Sequence, residues 1–168
     1  ADPLDAQLRA ARPGDVILVS GVHRGPFQTY VAGTAEAPIT IRGDGTAVLQ
    51  GDNTGFGLRI NHDHYRIENL VIKNYWKALY LFNAKHGIAK NVHAMDVQQE
   101  AFKVKRYSQR WLFLNCSARR TGQMKDFGEG FYVGDADNNW ETPTSPDTSG
   151  WVTFFNCYAT DGVNDGYD

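Results

Sequence analysis

No run of roughly 18 apolar residues occurs in this chain, and its N-terminus lacks a charged-then-apolar leader. The first absence argues against a membrane-crossing helix, and the second points to a cytosolic protein or to one whose signal peptide has been removed. Basic charge is not in surplus: the net charge is -2, so the total implies neither a polyanion-binding surface nor a nucleic-acid partner. Phosphate loops, a catalytic serine constellation and heptads are missing. His23, His62, His64, His86 and His93 share no repeated ligand spacing, and His62-Asp63-His64 reads as a hydrogen-bonded surface turn. Methionine is scarce, two residues beside a hydrophobic content of 42%, which suits an ordered core in a single domain. No stretch between the apolar segments could form a packed helix of about 12 residues.

What the chain does have is repetition. Gly57-Leu58-Arg59-Ile60 returns as Ala78-Leu79-Tyr80-Leu81, Ala101-Phe102-Lys103-Val104, Gly130-Phe131-Tyr132-Val133 and, at the end, Gly166-Tyr167-Asp168. A second phrase alternates with it: Ile67-Glu68-Asn69-Leu70, Ala89-Lys90-Asn91-Val92, Phe113-Leu114-Asn115-Cys116 and Phe154-Phe155-Asn156-Cys157. The phrases are short and alternate sides with period two, and turn formers separate them, so they read as strands. Two interleaved strand repeats of one period predict a single domain over residues 1–168, a right-handed, single-stranded parallel β-helix with about five to six coils over 14–168. Asn69, Asn91, Asn115 and Asn156 then form one amide ladder between coils about 4.8 Å apart. Cys116 and Cys157 follow ladder asparagines on consecutive coils, which predicts a disulfide and a secreted, oxidising setting. Asn115-Cys116-Ser117 matches a glycosylation sequon, but a ladder asparagine is poorly placed for it.

The two ends differ. Asp2 is an N-cap with Pro3 behind it, and Leu4, Leu8 and Ala11 make one apolar stripe, so residues 1–13 read as a helix capping the first coil. The polar stretch 134–150 reads as a loop inserted into a coil. The last strand phrase stops at Asp168, which implies a continuing or second polypeptide covering that end.

Residues 11–23, ARPGDVILVSGVH, followed by residues 33–41, GTAEAPITI, resemble the entry of secreted parallel β-helix polysaccharide lyases. Asn164-Asp165-Gly166-Tyr167-Asp168 resembles the Asp-Asp-Gly-Phe-Asp motif of family nine pectate lyases, whose acids hold a catalytic calcium. The resemblance implies a lyase that cleaves a pectate-like uronan by calcium-assisted β-elimination, with Glu129, Asn164, Asp165 and Asp168 as the metal donors. Asn164 stands where the family has a charged ligand and Glu129 where it has an aspartate. It also implies that the catalytic base lies beyond residue 168.

Lining up the phrases puts Glu100, Glu129 and Asp165 in one column and Arg59, Tyr80, Lys103, Tyr132 and Asp168 in a second, outward one. Hard oxygen donors from two adjacent coils suit calcium, and a solvated acidic strip is the other reading; Asp161, Asp135 and Asp137 are further possible ligands. Lys103 and Lys105 could grip an acidic polysaccharide, with Tyr80, Tyr132 and Trp140 offering faces to sugar rings, or could simply keep a strand edge soluble. Trp111 and Trp151 open asparagine-phrase strands and are expected at the core boundary. Two functions remain open from these residues, the lyase and a non-catalytic β-helix that binds glycan or protein. A β-helical glycoside hydrolase built on Asp165 with Asp168 or Asp161 is a third reading.

Overall fold

The computed structural model describes residues 2–125, 127–134 and 147–168. Its faces meet at corners, and the corners are residues in the left-handed backbone region. Asn69, Asn91, Asn115 and Asn156 have φ between 51° and 57°, a conformation that asparagine tolerates better than most side chains. The amides join the coils as expected: Asn91 Nδ2 donates to Asn69 Oδ1 at 3.0 Å and Asn156 Nδ2 to Asn115 Oδ1 at 2.7 Å. This ladder folds a ten-stranded parallel sheet into two faces. The strands before it include Val16–Val19, Ile39–Gly43, Gln109–Leu114 and Thr153–Phe155. Tyr65–Lys73 and Lys85–Met95 run through the corner onto the second face, which also carries Ser117–Arg119 and Tyr158–Thr160.

A five-stranded sheet forms the third face, in the order Phe131–Val133, Phe102–Lys105, Lys77–Phe82, Phe56–Ile60, Phe27–Gln28. All three faces are parallel, so the chain is a parallel β-helix, and the register matches the repeat alignment. Leu58, Leu79, Phe102 and Phe131 stack inward, and Arg59, Tyr80, Lys103 and Tyr132 stack on the opposite side. Gly166-Tyr167-Asp168 continues the series, with the Phe131–Tyr167 bridge and Val133 N–H donating to the Asp168 carbonyl at 2.8 Å.

Inward columns are apolar, and aromatic rings stack where neighbouring coils both carry them. Phe102 lies 4.6 Å from Phe131 with the rings nearly parallel, Tyr167 continues the stack at 4.9 Å, and Phe113 stacks on Phe154 at 5.1 Å. Such aromatic pairs add about 0.5–1.5 kcal/mol each beyond area burial. The first coil is closed by the helix Pro3–Ala10, which buries Leu4 and Leu8 and is capped by Asp2 accepting from Leu4 N–H at 2.9 Å.

The expected disulfide is not formed: Cys116 and Cys157 are free thiols. Parallel stacking points both side chains the same way. Each Sγ instead faces a carbonyl of the preceding coil, Ala89 for Cys116 and Phe113 for Cys157, both at 3.3 Å. Burial pushes the Cys116 thiol up to about 12, which keeps it protonated and unreactive. Secretion therefore draws no support from the cysteines.

Two outcomes test this architecture. Asn91→Ala loses the ladder amide and strains the corner, so it should cost about 1–2 kcal/mol in urea unfolding, whereas Asn91→Gly, which relieves the strain, should cost less. Unfolded without reductant, the protein should titrate with a thiol reagent as two free cysteines; no reaction would mean a bridge.

Candidate functional site

The outward side of the five-stranded sheet carries a cavity of about 250 Å³. Its position follows from the repeat. The residue before each small residue, Phe56, Lys77, Glu100, Glu129 or Asp165, forms one column, and the residue three further on forms the next, from Arg59 to Asp168. Strand pairing places Phe56 beside Lys77 and Tyr80 beside Lys103. Charged groups are thereby buried on the rim of an apolar solenoid, where each needs a partner.

Glu100 supplies that partner. Lys77 Nζ bonds to Glu100 Oε2, and Lys103 Nζ lies 3.5 Å from Glu100 Oε1. Lys77, Glu100 and Lys103 are 7%, 3% and 4% exposed, so the three form a nearly dry ion cluster. Gln99 Oε1 accepts from Lys77 Nζ at 2.9 Å, which fixes the lysine further. Lys103 Nζ also sits 2.9 Å from the centre of the Tyr132 ring, a cation–π contact. Tyr80 stacks on Phe56 at 4.4 Å, with Arg59 5.5 Å above its ring. Lys105, Trp76 and Phe127 complete the lining. The described lining residues include Lys77, Lys103 and Lys105 together with Glu100, whose carboxylate pairs with the first two. Such a surface suits a polymer that carries both anionic groups and sugar faces.

The structure thus brings together Lys103, Lys105, Tyr80 and Tyr132, all expected from the sequence. Trp140, Asp135 and Asp137 lie outside the described residues. Lys77 is the residue that reading the repeats overlooked. It occupies the Glu100 column one coil earlier, and following that column back past its acids would have found it. Trp111 is buried as expected, but Trp151 is 73% exposed rather than at the core boundary.

The expected calcium donors are arranged differently. Glu129 is 4% exposed, and both its oxygens already face donors: Asn164 Nδ2 at 2.7 Å and Gly128 N–H at 3.1 Å. Asn164 thus turns its amide nitrogen, rather than its oxygen, toward Glu129. Asp165 and Asp168 are exposed, and their carbonyls accept from Gly130 and Val133 N–H. Asp161 faces Arg119 Nε at 3.5 Å. Among the described residues, no three His, Cys, Asp or Glu side chains group closely enough to hold an ion. This donor set does not fit a resident calcium ion.

No family model matches the chain, and no curated protein matches it in sequence. Two solved structures do. An alginate lyase from Paenibacillus sp. strain FPU-7 superposes with a TM-score of 0.87 and 28% identity, over 95% of this chain and 56% of that one. The pectate lyase Pel9A superposes with a TM-score of 0.78 and 17% identity, over 97% of this chain and 43% of that one. The chain therefore spans about half the length of the lyases it matches. Its fold is the right-handed parallel β-helix of pectate-lyase-like polysaccharide lyases.

The ion cluster can be tested directly. Glu100→Gln leaves two buried ammonium groups without their shared carboxylate and should cost about 3 kcal/mol in urea unfolding. A cost below about 0.5 kcal/mol would mean that the cluster is solvated like a surface pair.

Proposed function

We propose that this chain supplies the substrate-gripping coils of a polysaccharide lyase that cleaves a uronate-containing polymer by β-elimination. The observation that carries this reading is the Lys77–Glu100–Lys103 cluster in an aromatic-walled groove, on a fold shared with two lyases. In such an elimination a base removes the proton on C5, beside the uronate carboxylate. The electron pair forms the C4=C5 bond, the C4–O4 bond breaks, and O4 takes a proton. The C5 proton is weakly acidic because the carboxylate beside it already bears charge. Ammonium groups held against that carboxylate stabilise the charge that develops on it.

Lys103 and Lys105 are the proposed carboxylate grips. Lys77 acts through Glu100 as a positioning residue for Lys103, and Tyr80 and Tyr132 wall the groove that takes the sugars. The C5 base is proposed to lie on polypeptide, continuing or separate, stacked against the Gly166–Asp168 strand. Calcium, which the family resemblance implied, is assigned no step, because Glu129 and Asn164 already satisfy each other. The higher identity to the alginate lyase makes an alginate-like uronan the first polymer to try and pectate the second. A setting outside the cell belongs to the same proposal, since such polymers lie there.

The test is incubation of the full polypeptide with alginate and with polygalacturonate, following ultraviolet absorbance of the unsaturated product. Lys103→Gln should lower kcat/KM about 100-fold, and the loss should persist with added calcium. Binding that needs Lys103 but produces no absorbance would favour the non-catalytic glycan-binding module. Neither binding nor cleavage would end the reading.

A further inference from the structure

A second groove, of about 640 Å³, runs along a different edge of the β-helix and shares no lining residue with the first. One corner column forms its floor. Strand register stacks His64 on His86, His86 beside Arg110, and Arg110 beside Trp151, one residue per coil. The imidazoles lie 5.0 Å apart and within 6° of parallel, and the Arg110 guanidinium sits 4.5 Å from the Trp151 ring centre. His86, Arg110 and Trp151 are all exposed, Trp151 most of all.

The backbone argues that this column is more than a corner. His64, His86, Arg110 and Trp151 have φ of 61°, 60°, 59° and 56°, the left-handed region that disfavours all four side chains. Two other corners meet the same backbone need with amides or with paired charges. One uses the asparagine ladder, Asn69 to Asn156. Another carries Asn74, Asp96, Arg120 and Asp161, where Arg120 Nη2 bonds back to Asp96 Oδ2 at 2.8 Å. The His-His-Arg-Trp column has neither asparagine nor an acid to answer Arg110. Arg66 adds another cation at the groove, and no carboxylate is among its described lining residues.

We propose that this column is a second binding site for an acidic polysaccharide, laid along the helix axis with one sugar over each rung. Coils repeat about every 4.8 Å, close to the length of one pyranose in an extended glycan. Flat groups at that spacing can each stack on a ring, and Arg66 and Arg110, which lie on coils two rungs apart, can pair with the carboxylates of alternate uronates. The choice of a uronan as ligand rests on the proposed function above; the geometry of the strip does not. The site would hold a polymer on the enzyme while the first groove engages it elsewhere.

The experiment is affinity electrophoresis of the full polypeptide through gels containing alginate, polygalacturonate or a neutral glucan, with folding checked by circular dichroism. Trp151→Ala and Arg110→Gln should each weaken retardation by the acidic polymers at least about tenfold in apparent affinity, and Trp151→Phe, which keeps a flat face, should largely restore it. The effect should persist in the Lys103→Gln background, where the first groove is disabled. Unchanged retardation in Trp151→Ala and Arg110→Gln would overturn the proposal. Equal retardation by the neutral glucan would overturn its acidic ligand. Retardation that depends on Trp151 but not on Lys103 would support this site while removing the first groove's role.

Discussion

Parallel, in-register stacking of coils is the constraint on which everything else in this molecule rests. Each backbone rung bonds to the next at a fixed spacing, so a residue cannot be chosen without regard to its equivalents one coil away. Apolar columns gain from this, as the Phe102–Phe131–Tyr167 stack shows. Polar columns must solve a problem that it creates. Asparagine solves it by bonding to itself along the ladder, and Arg120 with Asp96 solves it by alternating charge.

The candidate site is the place where the column rule is put under most tension. Lysine, glutamate and glutamate occupy consecutive rungs at Lys77, Glu100 and Glu129, all buried. Burying charges costs several kcal/mol per ion, which only close partners offset. Glu100 offsets two lysines, and Glu129 is satisfied by the Asn164 amide and a backbone N–H. A purely structural coil would place apolar or amide side chains there. The cluster instead holds ammonium groups ready beside aromatic faces, with their orientation set before any ligand arrives. That preorganisation connects the stacking rule to the proposed grip on a uronate.

Much of this was legible in the sequence, because the repeat makes register readable. Aligning the small-apolar phrases correctly paired Leu58 with Leu79 and Phe102 with Phe131, and placed Tyr80, Lys103 and Tyr132 in one outward column. The cap helix and the asparagine ladder followed from local chemistry. What escaped was side-chain direction. Stacked cysteines look ready to bridge, yet parallel rungs send both thiols to carbonyls behind them. Asn164 looks like an oxygen donor in sequence, but its amide nitrogen is what faces Glu129. Trp151 precedes the strand Thr153–Phe155 in register with Arg110 and stays outside, whereas Trp111 lies within its strand and turns inward, where its Nε1–H donates to the Ala84 carbonyl at 3.1 Å. The offsets of two residues from Trp111 to Phe113 and three from Trp151 to Phe154 do encode the tryptophan difference, whereas the directions of the thiols and of the Asn164 amide are in neither spacing nor composition.

The most direct test of the account is a crystal structure of the full polypeptide soaked with a short oligouronate. The account predicts a sugar carboxylate at hydrogen-bonding distance from the Lys103 ammonium, inside the groove walled by Tyr80 and Tyr132. An oligosaccharide bound elsewhere on the molecule while this groove holds only solvent would contradict it.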